Sequence, residues 1–298
     1  MAYEFERTQR IAVLGGGPGG YEAALAGAQL GAEVTLIERA GVGGSAVLTD
    51  VVPSKSLIAT AEGSNAVKEA ADLIGETTHT IAATDVPGFS KPALEGHVGT
   101  LRSVLLPNGK RALVIGARTH YYEGHGVRRV VHSVRTAAAT GATTMILTNG
   151  AGGIRESWKP GTPVLISDHI NLTADSPLEG ATFIDLTDLY SARLRALAHE
   201  VDPSLDEGVY VQFRGPHYET PAEVRMAKAI GGHIVGMSTA LEAIAARQAG
   251  IEVLGMSLIT NLAAGIQTTP LSHDEVLEAG RNAEPVISSL LARVIGAL

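Results

Sequence analysis

The amino-acid sequence predicts an α/β fold: a mixed, mainly parallel twisted sheet flanked by helices and preceded by a truncated βαβ unit. Three observations carry this. Short β-branched runs alternate with segments whose apolar residues recur at helical spacing, the pattern of strand–helix–strand units around parallel strands. The length of 298 residues allows one large α/β domain or two smaller ones, with ample material for a buried core. The composition, 45% hydrophobic with 35 glycines and only 4% aromatic, fits a soluble cytoplasmic enzyme of that class.

In chain order, strands are expected at Arg10–Leu14, Glu33–Ile37, Arg111–Ile115, Thr143–Leu147, Pro163–Ile166, Val209–Gln212, His233–Val235 and Glu252–Ser257. Helices are expected at Gly20–Leu30, Val127–Thr140, Ser191–Glu200, Ala222–Ile230, Ala240–Ala249 and Asp274–Glu278. A further helix over Glu284–Ile295 would bury a stripe of Val286, Leu290, Leu291, Val294 and Ile295. No internal repeat or low-complexity tract interrupts the pattern. The one indistinct stretch, Thr60–Glu76, marks a seam, and the chain divides there into segments 1–65 and 66–298.

Charge and residue usage exclude several classes of function. With 23 Lys+Arg against 31 Asp+Glu the formal charge is −8, which lacks the positive footprint that nucleic-acid binding needs. There is no cysteine, so disulfides, thiolate metal sites and dithiol chemistry are ruled out. The charged start MAYEFERTQR has no apolar core of a signal peptide, and no apolar run is long enough to span a membrane. No cluster with metal-ligand spacing is evident, so neither a metal nor a bound cofactor is expected.

In the first segment, RIAVLGGGPGG is a strand running into Gly15-x-Gly17-x-x-Gly20, followed by a helical stretch and a strand ending at Glu38. Glycines for a tight turn, helix amides for a pyrophosphate and an acid for a ribose hydroxyl make a dinucleotide-binding arrangement. With the continuation GVGGSAVLTDVVPSKSLIATAE, residues 1–65 resemble the N-terminal FAD-binding segment of dihydrolipoamide dehydrogenase-like NAD(P)H flavoproteins. Ala46 and Val51 stand where that family has its cysteine pair, and the likeness stops within about 70 residues. The expectation is a truncated Rossmann βαβ unit with no ligand.

The remainder carries its chemistry in eight segments: TDVPGFSKPALEGHVG, GARTHYYEGH, LTNGAGGI, SDHINLTADSPLEG, GPHYETPAEVRM, VGMSTALEAIAARQAG, SLITNLAAGI and LSHDEVLEAG. Arg118, His120 and Tyr122 are spaced by two, so a strand would aim all three at one face, and Arg with His suits an oxyanion. TNGAGGI after a strand reads as a glycine-rich turn able to present backbone amides to an anion. Thr220–Glu223, Thr239–Glu242 and Ser272–Glu275 each read as a capping box. These place Tyr218, Glu219 and Ser238 beside positive helix ends. Asn261 falls at the carboxyl end of a strand, where α/β sheets bind ligands.

Over about residues 70–298 the eight segments, in this order, resemble the trimeric purine nucleoside phosphorylases of the 6-oxopurine type. The resemblance implies a sheet of nucleoside phosphorylase type, a homotrimer, purine nucleoside and inorganic phosphate as substrates, and purine salvage as the setting. It implies that Arg118, His120, Gly150 and Ser238 bind phosphate, with Glu123 beside them. Tyr122, Tyr218, Glu219, Met237, Thr260, Asn261 and His273 would bind nucleoside, and Asn261, Glu219 and His97 would be catalytic. In that family the first strand ends in Gly-Ser-Gly, whose serine helps to hold phosphate. Here no clean match exists, and SLIATAEGS is expected as a substitute edge strand with Ser64 as the ligand. Alanine is usual at Gly150. Two other readings stay open at this point: a flavin- or NAD-binding oxidoreductase fragment, or a nucleoside-binding protein with impaired catalysis.

Overall fold

The computed structural model describes residues 10–14, 24, 33–37, 56–60, 73–89, 99–116, 118–266 and 273–298. The chain forms two compact units, Met1–Pro53 and Ser54–Leu298. In the first, β1 (Arg10–Leu14) and β2 (Glu33–Ile37) pair in parallel, Arg10 opposite Glu33 through Leu14 opposite Ile37. Ala24 between them is helical, and the glycine fingerprint and Glu38 lie outside the described residues.

Among the described residues, the second unit holds nine strands. They are β3 (Ser56–Thr60), β4 (Glu76–Ala82), β5 (Thr100–Leu105), β6 (Arg111–Ile115), β7 (Thr144–Gly153), β8 (Pro163–Asn171), β9 (Asp206–Gln212), β10 (Ile234–Gly236) and β11 (Glu252–Leu262). They form one sheet in the order β10-β9-β8-β11-β7-β3-β6-β5-β4. Strands β3, β6, β7 and β11 are mutually parallel, β4 and β5 form an antiparallel margin, and β8 runs against β11. An antiparallel pairing of β10 with β7 joins the far edge back to the centre, so β7, β10, β9, β8 and β11 close a ring.

Alternation along the central strands explains how this sheet is buried on both faces. Leu113, Ile115, Met145 and Leu147 enter one apolar cluster, while Ala112, Val114 and Ile146 enter another. The first cluster packs against α2 (His132–Ala139), which follows the short α1 (Val127–Val130), and against α5 (Ala240–Gln248). The second packs against α3 (Ala192–Val201) and α6 (His273–Ala297). Helix α4 (Pro221–Ala229) covers a third, smaller cluster through Val224 and Ala227.

Several expectations are corrected. SLIAT is not an edge strand: β3 is bonded to β6 on one side and β7 on the other, so the chain leaves the first unit before residue 54 rather than after 65. Strands β4 and β5 were not foreseen. The two C-terminal helices are one, with the exposed Pro285 inside it, where the ring removes one backbone hydrogen bond. Val286 faces out at 61% exposure, and Ile287 takes its place in the buried stripe with Leu290, Leu291, Val294 and Ile295.

Candidate active site

The parallel strands deliver their following residues to one edge of the sheet. Strand β6 ends at Ile115, so Arg118, His120 and Tyr122 lie beyond the strand; His120 caps a 3-10 turn over Tyr121–Glu123. Alternation therefore does not unite these side chains. The turn does, stacking the His120 and Tyr122 rings with centroids 4.9 Å apart. Glu123 Oε1 accepts the His120 backbone N–H at 2.7 Å and lies 3.3 Å from Nδ1. Burial alone would raise the Glu123 carboxyl, but these hydrogen bonds and the His120 charge bring it below its usual range.

The TNGAGG segment is not a turn either, because β7 continues through it to Gly153, with Gly150 paired opposite Leu258. Glycine is needed there for close approach. A Cβ at Gly152 would stand 3.0 Å from Val235, and one at Gly153 would stand 3.1 Å from Ile259. Strand β10 runs antiparallel to β7, so the residues after Gly236 pass back along the site edge, bringing Ser238 and Thr239 to Asn149.

Arg118 is buried there against Glu242 of α5. Its Nε donates to Oε1 at 2.8 Å and its Nη2 to Oε2 at 2.6 Å, a fork-to-fork pair. Nη1 donates to the Thr148 carbonyl at 2.8 Å, and Nη2 also reaches Thr239 Oγ1 at 3.0 Å. Glu242 Oε2 further accepts the Thr239 N–H at 2.9 Å, completing the expected cap of α5. Gln212 at the end of β9 accepts from Ala240 N at 2.7 Å. Thr239 is held at φ +84°, an unusual value for a β-branched residue.

At the end of β11, a bulge between Ile259 and Asn261 leaves Thr260 as the extra residue of the strand. Thr260 Oγ1 lies 2.8 Å from Asn261 Oδ1, and Asn261 Nδ2 donates to the Leu262 carbonyl at 2.9 Å. The amide is thereby fixed in one orientation, with a second Nδ2 hydrogen still to place. The capping box at Thr220 forms as expected, with reciprocal bonds to Glu223 of 2.7 and 3.2 Å. Pro221 packs on Gly265, tying this helix start to the segment after Asn261. Glu219, one residue before the cap, is only 7% exposed, and its Oε1 has no hydrogen-bond partner among the described residues. Burial, with a smaller contribution from Glu223, holds its carboxyl above the usual range. Gly215, at φ +70°, leaves room for Met237 and Tyr122: a Cβ there would collide with Met237 and sit 3.2 Å from Tyr122. Tyr218 is partly exposed.

The structure thus connects Arg118 and Ser238 through Thr239, His120 with Tyr122, and Thr260 with Asn261, and it sets Tyr122 and Met237 both beside Gly215. Gly150 adjoins Thr260, whose Cγ2 would lie 3.2 Å from a Cβ at that position. His97 and Ser64 lie outside the described residues, as does the capping serine Ser272; His273 is the first residue of α6. Sequence reasoning missed Asn149 and Glu242 as site residues. Glu242 had a signal, the Thr-x-x-Glu spacing, but that spacing reads as a helix cap and not as the counter-ion of Arg118.

Comparison with known proteins places this arrangement. The model of the phosphorylase superfamily matches residues 57–296, and the chain belongs to that family. A model described as pyridine nucleotide-disulphide oxidoreductase matches residues 9–93, overlapping the first. A purine nucleoside phosphorylase of Cellulomonas sp. is 65% identical over 229 residues, which is 76% of this chain and 81% of that protein. That of Mycobacterium tuberculosis is 56% identical over 222 residues, 74% of this chain and 82% of its own. Among solved structures, Schistosoma mansoni purine nucleoside phosphorylase in complex with inosine superposes with a TM-score of 0.76. It is 32% identical, over 85% of this chain and 93% of that one.

Proposed function

We propose that the chain is a purine nucleoside phosphorylase, converting a 6-oxopurine (deoxy)nucleoside and phosphate to free base and (deoxy)ribose 1-phosphate. The observation that carries the reading is the buried Glu219 oxygen with no partner among the described residues, at a helix start whose Pro221 packs on Gly265, shortly after Asn261's tethered amide. A carboxylate so placed accepts a ring N–H, and an oriented Asn N–H donates to a ring nitrogen. In the reaction the C1′–N9 bond breaks through an oxocarbenium-like state, and its electron pair moves onto the purine. Asn261, donating at N7, stabilises that charge, contributing about 3 kcal/mol by analogy with other preorganised donors, while Glu219 holds the base by accepting from N1–H. A phosphate oxygen forms the new bond to C1′ from the opposite face, and the leaving purine takes up a proton.

His120, with Glu123 behind its ring, Ser238 and the Gly150 backbone hold the phosphate, with Arg118 supplying positive potential from below. Tyr122, Tyr218, Met237, Thr260 and His273 line the nucleoside, and His97 approaches the ribose. Strand β3 supports Ser64 as a further phosphate ligand, because Thr60 pairs with Ile115 and Leu147, the strands that lead to Arg118 and Asn149. Phosphate is a co-substrate, and the scheme uses no cofactor. A homotrimer in the cytoplasm, serving purine salvage, comes with the family resemblance; Phe183, 93% exposed beside exposed Leu186, offers apolar surface for such an assembly. Release of hypoxanthine from inosine in a xanthine oxidase-coupled assay, strictly dependent on phosphate, tests the reading. Absence of release with a folded protein contradicts it.

A further inference from the structure

We infer that Thr239 is a positioning residue that fixes the Ser238 hydroxyl as a hydrogen-bond donor toward phosphate, an inference that rests on the phosphorylase reading above. A hydroxyl has one proton and two acceptor lone pairs. Thr239 Oγ1 has three side-chain neighbours, Arg118 Nη2 at 3.0 Å, Asn149 Nδ2 at 2.9 Å and Ser238 Oγ at 3.2 Å, and it faces the Glu242 backbone N–H of the capping box. The guanidinium can only donate, and the Asn149 amide nitrogen likewise, so both lone pairs are taken. The Thr239 proton is left for Ser238 Oγ. Ser238 is then an acceptor toward Thr239, and its own proton points elsewhere, with no acceptor among the described residues. Ser238 is buried, so that unspent O–H matches an anionic oxygen.

Each upstream element locks the next. Glu242 grips Arg118 on two oxygens and also the Thr239 backbone N–H, which fixes the guanidinium and holds Thr239 at its positive φ. The Asn149 amide is turned with Nδ2 to Thr239, and its Oδ1 is buried without a hydrogen-bond partner among the described residues. With that amide turned over, Thr239 would donate to Oδ1, Ser238 would donate to Thr239, and only a lone pair would face the phosphate. The two arrangements therefore give Ser238 opposite roles.

Binding of inorganic phosphate, measured by titration calorimetry and by thermal shift on the full chain, separates them without relying on turnover. Ser238→Ala and Thr239→Val are expected to raise the phosphate Kd roughly ten- to a hundredfold, the worth of one hydrogen bond to a charged group. Their double variant should be no worse than either alone, and Thr239→Ser should bind like wild type. In assays, the same variants should raise the phosphate KM while leaving the nucleoside KM in place. If Thr239→Val does not fold, Thr239→Ala replaces it, since it removes the hydroxyl and the β-branch together. Phosphate Kd values indistinguishable from wild type in Ser238→Ala or in a folded hydroxyl-less variant overturn the inference. So does a Thr239→Ser variant as weak as the others, or a wild type that binds no phosphate. A wild type that binds phosphate in this Thr239-dependent way yet releases no hypoxanthine would sink the phosphorylase reading and leave the inference standing.

Discussion

A buried carboxylate oxygen without a hydrogen-bond partner costs on the order of 1–3 kcal/mol, and Glu219 Oε1 is such an atom among the described residues. Glu219→Gln removes the charge and is expected to raise Tm by a few degrees at neutral pH, taking roughly 2–4 °C per kcal/mol. The same change should lower kcat/KM for inosine. Its pH dependence has a fixed sign. Burial holds the folded-state pKa of Glu219 above its unfolded value, so the group supports stability at acid pH and loses that support as pH rises through the raised pKa. The Tm gain of Glu219→Gln should therefore vanish in acid and be full at neutral pH; a gain that is the same at both, or a loss, contradicts this. Asn261→Asp replaces the N–H that donates to the Leu262 carbonyl with a second oxygen, besides removing the donor for the purine. Inosine kcat/KM should fall by about a hundredfold or more, with adenosine relatively favoured, and unchanged inosine kinetics would refute the role. Much at this scale was legible: Arg118, His120, Ser238, Glu219 and Asn261 all stand at one edge of the sheet or at the helix starts beside it. The Arg118–Glu242 pair was not, because its partners are 124 residues apart and no local spacing links them.

Among the elements, β3 is the most informative. Strand Ser56–Thr60 is bonded on both sides, so a proline in its middle deletes ladder bonds and has no edge to occupy. Ile58→Pro is expected to cost about 3 kcal/mol or more in unfolding free energy by denaturant titration. An unaltered midpoint would mean that β3 is dispensable. The helices capped at Thr220 and beginning at Ala240 were readable within a residue or two, whereas the two expected at the C-terminal end are one. Strand β4 was not, since ETTHTIA is largely exposed along its length and carries no buried alternation. The second half of β7 was misread for a different reason. Glycine usually signals a turn, but in TNGAGG it clears space for Val235 and Ile259 against a strand.

At the scale of the whole molecule, the division at Pro53 and Ser54 separates a parallel β1–β2 pair from the phosphorylase unit. A chain beginning at Ser54 should fold and retain phosphorolysis of inosine, whereas one beginning at residue 66 loses β3 and should not fold. Equal activity of the two would show that β3 plays no part. The first unit has too little chain to wall in a dinucleotide, since well-formed sites bury roughly 70–90% of their ligand. Protein purified without bound flavin is therefore expected, and stoichiometric flavin absorbance would contradict it. The family of the larger unit was legible because its eight segments keep their order. The course of the join was not, because SLIAT continues the first segment's resemblance in sequence yet belongs to the sheet of the second unit.

The most direct test of the central claim is phosphorus NMR of the full chain incubated with inosine and inorganic phosphate. The account predicts that a ribose 1-phosphate signal grows one for one with hypoxanthine, and that neither product forms when phosphate is withheld. Hypoxanthine released without phosphate, or with free ribose as its partner, would show a hydrolase and contradict it.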